Sequence, residues 1–223
     1  MIKYYPELVQ GSEEWFAARC GLLTASEMKH IITPVTLKES QNDKSRGHFY
    51  ELISQRVTGY VEPTYQSDDM MRGKDDENDA KITYTEHYAP VQDIGFVTND
   101  KWGFTLGCSP DGLVGDDGMI ESKSRKQKFQ VSTILDNKVP DEFILQVQTA
   151  LLVTERKWCD FISYCGGMPM FVKRVEPDEK IQSAIIEAAT NFHSKVEAAM
   201  LAYAELAKNF YPTERRIELE IHL

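Results

Sequence analysis

The sequence predicts a layered α/β or α+β domain. Three features carry that prediction: short strand-like runs in the middle of the chain, helical periodicity before, between and after them, and a hairpin signature near the centre. Ser12 is placed to cap a short helix over 13–19, stopped near Gly21. Thr24 and Glu27 have capping-box spacing ahead of Met28, Ile31 and Ile32, so a second helix is expected to begin there. Residues 33–46 are polar and read as a loop, and helical periodicity resumes over about 47–59 through Phe49, Leu52, Ile53 and Val57. A further helix is expected over about 70–88.

Strands are expected over 91–98, 102–108, 118–124, 158–165 and 170–175. Pro140 and Asp141 are start signals for a helix to about 153, with Ile144, Val147 and Leu151 on its apolar face. The stripe Ile181, Ile185, Ala188, Phe192, Val196, Met200 and Tyr203 marks a long helix over 177–208 and belongs to a core. The tail 217–221 alternates like an edge strand, or like one that pairs with another subunit.

Composition narrows the class. At 223 residues, 42% hydrophobic and 10% aromatic, the chain is globular, and no Pro/Ser-rich linker divides it, so residues 1–223 are read as a single domain. No apolar run nears the roughly 20 residues of a membrane span, and the first residues lack a signal-peptide core. Cys20, Cys108, Cys159 and Cys165 have neither CxxC nor zinc spacing, which points to thiols in a reducing cytoplasm. A formal net charge of −10 argues against a sequence-independent nucleic-acid binder. The charge is uneven, however: Lys123, Arg125, Lys126, Lys128 and Lys138 face one acid, Asp136, across residues 122–138. That stretch reads either as a solvated loop or as local positive charge for a polyanion.

The hairpin carries the chemistry. Pro110-Asp111-Gly112 opens one strand, Gly115 to Gly118 makes the turn, and Glu121-Ser122-Lys123 lies on the return strand. Side-chain alternation puts Glu121 and Lys123 on one face, about 7 Å apart, and antiparallel pairing brings Asp111 alongside. Carboxylates of this kind hold Mg²⁺, which shares its shell with water and phosphate oxygens, and a neighbouring lysine can orient the attacking water. The pattern is PD-(x)n-ExK, the signature of a large class of metal-dependent nucleases. Glu77 starts an apolar-facing register with Ala80 and Tyr84, so it can add a third carboxylate; helix-dipole compensation explains its acidic neighbours equally well. Gln146 is placed to face inward and needs a partner there. Arg19 and Ser26 bracket a helix start suited to a phosphate, although a structural salt bridge would also account for Arg19.

These segments together resemble the phage lambda exonuclease family of viral recombination nucleases, in the PD-(D/E)xK superfamily. The resemblance runs through Trp15 and the 19–27 segment, Gly73 to Ala80, Cys108 to Leu113, Glu121-Ser122-Lys123, and Gln146 to Gln148 with Val153-Thr154. It implies a restriction-endonuclease-like core, with a mixed central sheet flanked by helices. It also implies that Asp111, Glu121 and the Ser122 carbonyl bind Mg²⁺, with Mn²⁺ able to substitute, and that Glu77 completes the acidic site. Lys123 would act on the attacking water, Gln146 would position groups around it, and Arg19, Ser26 and Ser109 would hold a 5′-phosphate. Such an enzyme digests one strand of linear duplex DNA from its 5′ end to mononucleotides, leaving a 3′ overhang for a single-strand annealing protein. A homotrimeric ring around the DNA, in the bacterial host cytoplasm if phage-encoded, is implied as well. Ser122 stands where an aliphatic residue is the family pattern, and Arg72 where an aromatic is; Met70 and Met71 are the candidate strand-separating wedges. The rival readings are a restriction-type endonuclease and a non-catalytic module that binds DNA ends.

Overall fold

The computed structural model describes residues 1–62 and 68–215, the side chains of 68–70 excepted. The first half runs β1 (Ile2–Tyr5), α1 (Glu13–Arg19), β2 (Leu23–Thr24), a 3₁₀ helix (Ala25–His30), α2 (Asp43–Thr58), α3 (Asp68–His87), β3 (Phe96–Asn99) and β4 (Leu106–Cys108). The second runs β5 (Gly112–Val114), β6 (Gly118–Ser124), α4 (Gln127–Asp136), α5 (Asp141–Thr154), β7 (Trp158–Tyr164), β8 (Phe171–Val175) and α6 (Glu179–Leu206), closed by a 3₁₀ turn (Ala207–Asn209). The strands form two four-stranded sheets, in the orders β1-β3-β4-β2 and β5-β6-β7-β8. Both mix parallel and antiparallel pairs, as α/β sheets with an antiparallel edge do. The layered mixed architecture agrees with the fold class expected from sequence.

Several boundaries differ for identifiable reasons. The capping box at Thr24 does not form: Thr24 makes no side-chain cap, its hydroxyl accepts from Arg19, and the segment winds as a 3₁₀ helix. Helix α2 begins at Asp43 because Asn42 accepts from the Ser45 amide, a cap that lay inside the expected loop. The strands expected over 91–98 and 102–108 shorten to four and three residues, where ladder pairing is continuous; of the rest, Gln92 keeps an isolated antiparallel bridge to Leu113. Strand β1 had no alternation to reveal it and exists because it pairs with β3 along its whole length. The basic stretch 122–138 contains α4, whose buried residues are polar: Gln130 and Thr133. Gln130 donates to the Ser163 and Pro169 carbonyls and accepts from the Ser163 hydroxyl, so its burial is satisfied and no apolar stripe announces the helix. The edge strand expected over 217–221 lies outside the described residues.

Two packing layers position the site. The main core joins α5, α6 and the 3₁₀ segment to the inner sheet faces through Met28, Leu106, Leu145, Leu151, Phe161 and Val196, among others. On the opposite face of β6 and β7, α3 buries Ala80 and Tyr84 against Val114, Ile120 and Ile162. The Tyr84 hydroxyl donates to Asp160 Oδ2 at 2.6 Å, and Arg174 grips the same carboxylate through two bonds of 2.8 Å while lying 3.7 Å from the centre of the Trp158 ring. Trp158 in turn rests on Gly118, where a Cβ would come within 2.1 Å of the indole. This clamp fixes the helix that carries Glu77.

Candidate active site

The hairpin forms with the expected register: Gly112 pairs with Ile120, Leu113 with Met119 and Val114 with Gly118. Its turn takes Gly115 through a φ of 53°, the left-handed region that glycine enters without strain. Pairing stops at Gly112 for a chemical reason, since Pro110 has no N–H to extend the ladder. From Glu121 onward β6 keeps only β7 as a neighbour, and its other edge is open. Asp111 turns its carboxylate onto that edge, where Oδ2 accepts from the Ser122 amide (2.5 Å) and hydroxyl (2.9 Å).

On the α5 side, Glu121 Oε1 accepts from Lys123 Nζ at 2.6 Å and from Gln146 Nε2 at 2.5 Å. Glu77 reaches the same region from α3. One cavity of about 390 Å³ is lined by Glu77, Asp111, Glu121, Ser122, Lys123 and Gln146. Arg19, Ser26 and Ser109 line its other end, so every site residue expected from sequence faces a single space. Gln148, two residues beyond Gln146, points away and holds the start of α6 by donating to the Glu176 carbonyl and accepting from the Asp178 amide.

The electrostatics at the acidic end are unbalanced. Burial and the charge of Asp111 raise the Glu77 pKa to about 7. Burial raises Glu121 to about 7 too, with Asp111 and Glu77 adding to it and Lys123 opposing. Burial pulls the Lys123 ammonium down, but Glu121 and Asp111 more than offset that, and its pKa stands above the ordinary lysine value. Among the described residues, no three His, Cys, Asp or Glu side chains already close on one point as a preformed metal cluster. The donor chemistry nevertheless fits a hard divalent cation: two or three crowded carboxylates and an open strand edge bearing the Ser122 carbonyl, whose mutual repulsion such a cation would relieve.

At the other end, the Arg19 guanidinium stacks on Trp15, 4.2 Å from the ring centre. It donates to the Thr24 hydroxyl at 3.1 Å, with longer contacts of 3.5 Å to Ser26 and Ser109. Trp15 Nε1 also donates to Ser109 Oγ at 3.1 Å, so one indole orients both members of the pocket. Burial lowers the Arg19 pKa, with Glu27 opposing. Among the described residues no carboxylate lies within ion-pair distance of Arg19, so the salt bridge considered for it is not formed. A half-buried cation held by hydroxyls and an aromatic face, with no carboxylate at ion-pair distance among the described residues, suits an anion. Sequence reasoning missed three contributors: Trp15 as the Arg19 platform, Thr24 as its hydroxyl partner, and Phe143, whose ring centre lies 5.7 Å from Lys123 Nζ. The Trp15–Arg19 spacing of four on one helix was the available signal for the first.

Comparison with known proteins agrees with this arrangement. A model of the YqaJ-like viral recombinase domain matches residues 14–157. The alkaline exonuclease LHK-Exo from Laribacter hongkongensis is similar in structure, with a TM-score of 0.79 and 33% identity over 89% of this chain and 99% of that one. A second structure of LHK-Exo, in complex with dAMP, matches at 34% identity and the same TM-score. A phage-related exonuclease from Haemophilus somnus 129PT shares the fold at 11% identity, with a TM-score of 0.55 over 80% of this chain and 96% of that one. No curated protein matches the chain. No helix among the described residues is long and apolar enough to cross a membrane. The chain belongs to the YqaJ-like viral recombinase family, the lambda exonuclease group of PD-(D/E)xK nucleases.

Proposed function

We propose that the protein is a divalent-cation-dependent exonuclease that digests one strand of linear duplex DNA from its 5′ end, releasing mononucleotides and leaving a 3′ overhang. The observation that carries this reading is the single cavity with an anion pocket at one end and the acidic centre with Lys123 at the other. A pocket for a terminal phosphate beside a hydrolytic centre suits a strand end, whereas an endonuclease has no use for one. The relatedness to LHK-Exo, a protein crystallised with dAMP, supports a mononucleotide product.

Asp111, Glu121 and the Ser122 carbonyl would hold Mg²⁺ or Mn²⁺, with Glu77 completing the set. Such an ion polarises the phosphodiester and acidifies a bound water. Lys123, charged beside Glu121, orients the attacking oxygen through its N–H groups and offsets charge gathering on the phosphorus centre. Gln146 pins the Glu121 oxygen that Lys123 also holds, which keeps the carboxylate from swinging toward the lysine alone. Arg19, Ser26 and Ser109 bind the terminal phosphate, so the next phosphodiester is the one presented to the acids. A ring of three chains around the duplex would keep a protein of net charge −10 on DNA, because encirclement substitutes for a broad basic face. The overhang would pass to a single-strand annealing protein in the bacterial cytoplasm.

The test is a time course with Mg²⁺ on end-labelled linear and covalently closed circular duplex. The 5′-labelled linear strand should release mononucleotide at once while circles persist. Cutting of circles would favour the endonuclease, and no release from either would leave an end-binding module.

A further inference from the structure

A second chamber of about 440 Å³ adjoins the first, and the two share Gln10, Glu77 and Asp111 as their common wall. Its α3 side presents Lys74, Asn78 and Lys81, which fall on one helical face with Glu77 by their spacing of three to four residues. Pro6, Leu8 and Ile94 form part of its apolar wall. Lys81 is committed to Asp93 through a 3.0 Å ion pair. Lys74 is exposed and reaches across to the N-terminal segment, where a Cβ placed on Gly11 would lie 3.8 Å from its ammonium. A basic side chain therefore stands on each side of the acidic centre: Arg19 in the first chamber and Lys74 in the second, whose wall also carries Glu77, Asp93 and Asp111.

Resting on the exonuclease reading above, we propose that the second chamber binds the DNA backbone phosphate on the 3′ side of the scissile bond. Lys74 supplies the charge, and the Asn78 and Gln10 amides supply hydrogen bonds. A polyanion drawn over two or three carboxylates is repelled there, and a cation on each flank holds it across the gap. The bland alternative is that Lys74 only compensates Glu77, three positions further along the helix.

The two roles differ in measurable ways. Lys74→Ala should raise KM for 5′-phosphorylated linear duplex about tenfold, leave kcat within about twofold, and reduce the magnitude of the log–log salt slope by about one. Lys74→Arg should restore KM and slope, which separates lost charge from damaged folding. Wild-type KM and salt slope in Lys74→Ala would overturn the proposal, as would a change confined to the Mg²⁺ concentration needed for half-maximal rate. Equilibrium binding of the same duplex without divalent cation gives an independent readout. If the wild type releases no nucleotide, the exonuclease reading fails, while weaker binding by Lys74→Ala would still establish the phosphate contact and unchanged binding would remove it.

Discussion

The two ends of the active-site cavity are built in opposite ways. The acidic end comes from one hairpin: Asp111 and Glu121 are ten residues apart, and strand register alone sets them side by side. The phosphate end is assembled from α1, the start of the 3₁₀ helix and the loop after β4, so that Arg19 meets Ser109 across ninety residues. The acidic end is crowded with like charge and is protonated more readily than ordinary carboxylates. The basic end holds the Arg19 guanidinium among neutral hydrogen-bond and ring partners, with Lys29 also on the cavity wall. A site made by register tolerates little change of residue type, because each group acts on the reacting atoms. A site made by docking grades its effects, because each group shares one anion.

Lys123→Ala should produce the largest break. Turnover should fall by about 10²–10⁴ while the protein stays folded and still binds Mg²⁺, because only the ammonium beside Glu121 is removed. Single-turnover kinetics with calorimetric metal titration would check it, and near-normal turnover would refute the role. Arg19→Ala acts at the other end and should reduce the preference for 5′-phosphate over 5′-hydroxyl by about 10- to 100-fold, the worth of a charged hydrogen bond. An unchanged preference would remove the pocket.

The pH dependence sharpens the contrast, since only the acidic end titrates near neutrality. Glu77 and Glu121 have folded-state pKa values raised to about 7 from an ordinary 4.5. Between those values the folded protein binds more protons than the unfolded chain, so metal-free stability is highest at the acid side and declines as pH rises through about 7. A melting series with chelator from pH 5 to 8 should show Tm falling, and added Mg²⁺ should raise Tm most at the alkaline end. A flat metal-free profile would contradict the crowding of these carboxylates. The smallest effect belongs to Tyr84→Phe, which removes one bond of the clamp beneath Glu77 and should cost about 1 kcal/mol of stability. Its Mg²⁺ requirement should rise severalfold with the 5′-phosphate preference unchanged; a shift in that preference would show the two ends to be coupled.

Much of the acidic end was legible because its determinants are local. Turn glycines, Pro110 and alternation fix the hairpin, and the hairpin fixes which side chains can meet. Glu77 was only a candidate from its helical register, since a helix face does not say which sheet face it will cover. The Arg19 pocket was harder still: Trp15 as platform and Thr24 as acceptor depend on three segments docking, and a favourable capping pattern at Thr24 pointed the other way. Helix α4 stayed hidden because its buried face is polar, satisfied by Ser163 and Pro169 from distant parts of the chain.

By itself, then, the amino-acid order determined the mixed layering, the hairpin and the chemistry its carboxylates and lysine can perform, because periodicity and turn preference act over a few bonds. Tertiary structure alone decided which helix faces line the cavity, how Arg19 is held by an indole and hydroxyls with no carboxylate at ion-pair distance among the described residues, and that a second chamber with Lys74 on its wall adjoins Glu77. Those outcomes depend on burial and on hydrogen-bond partners brought together from far along the chain, and no short window of sequence contains both halves of such a contact.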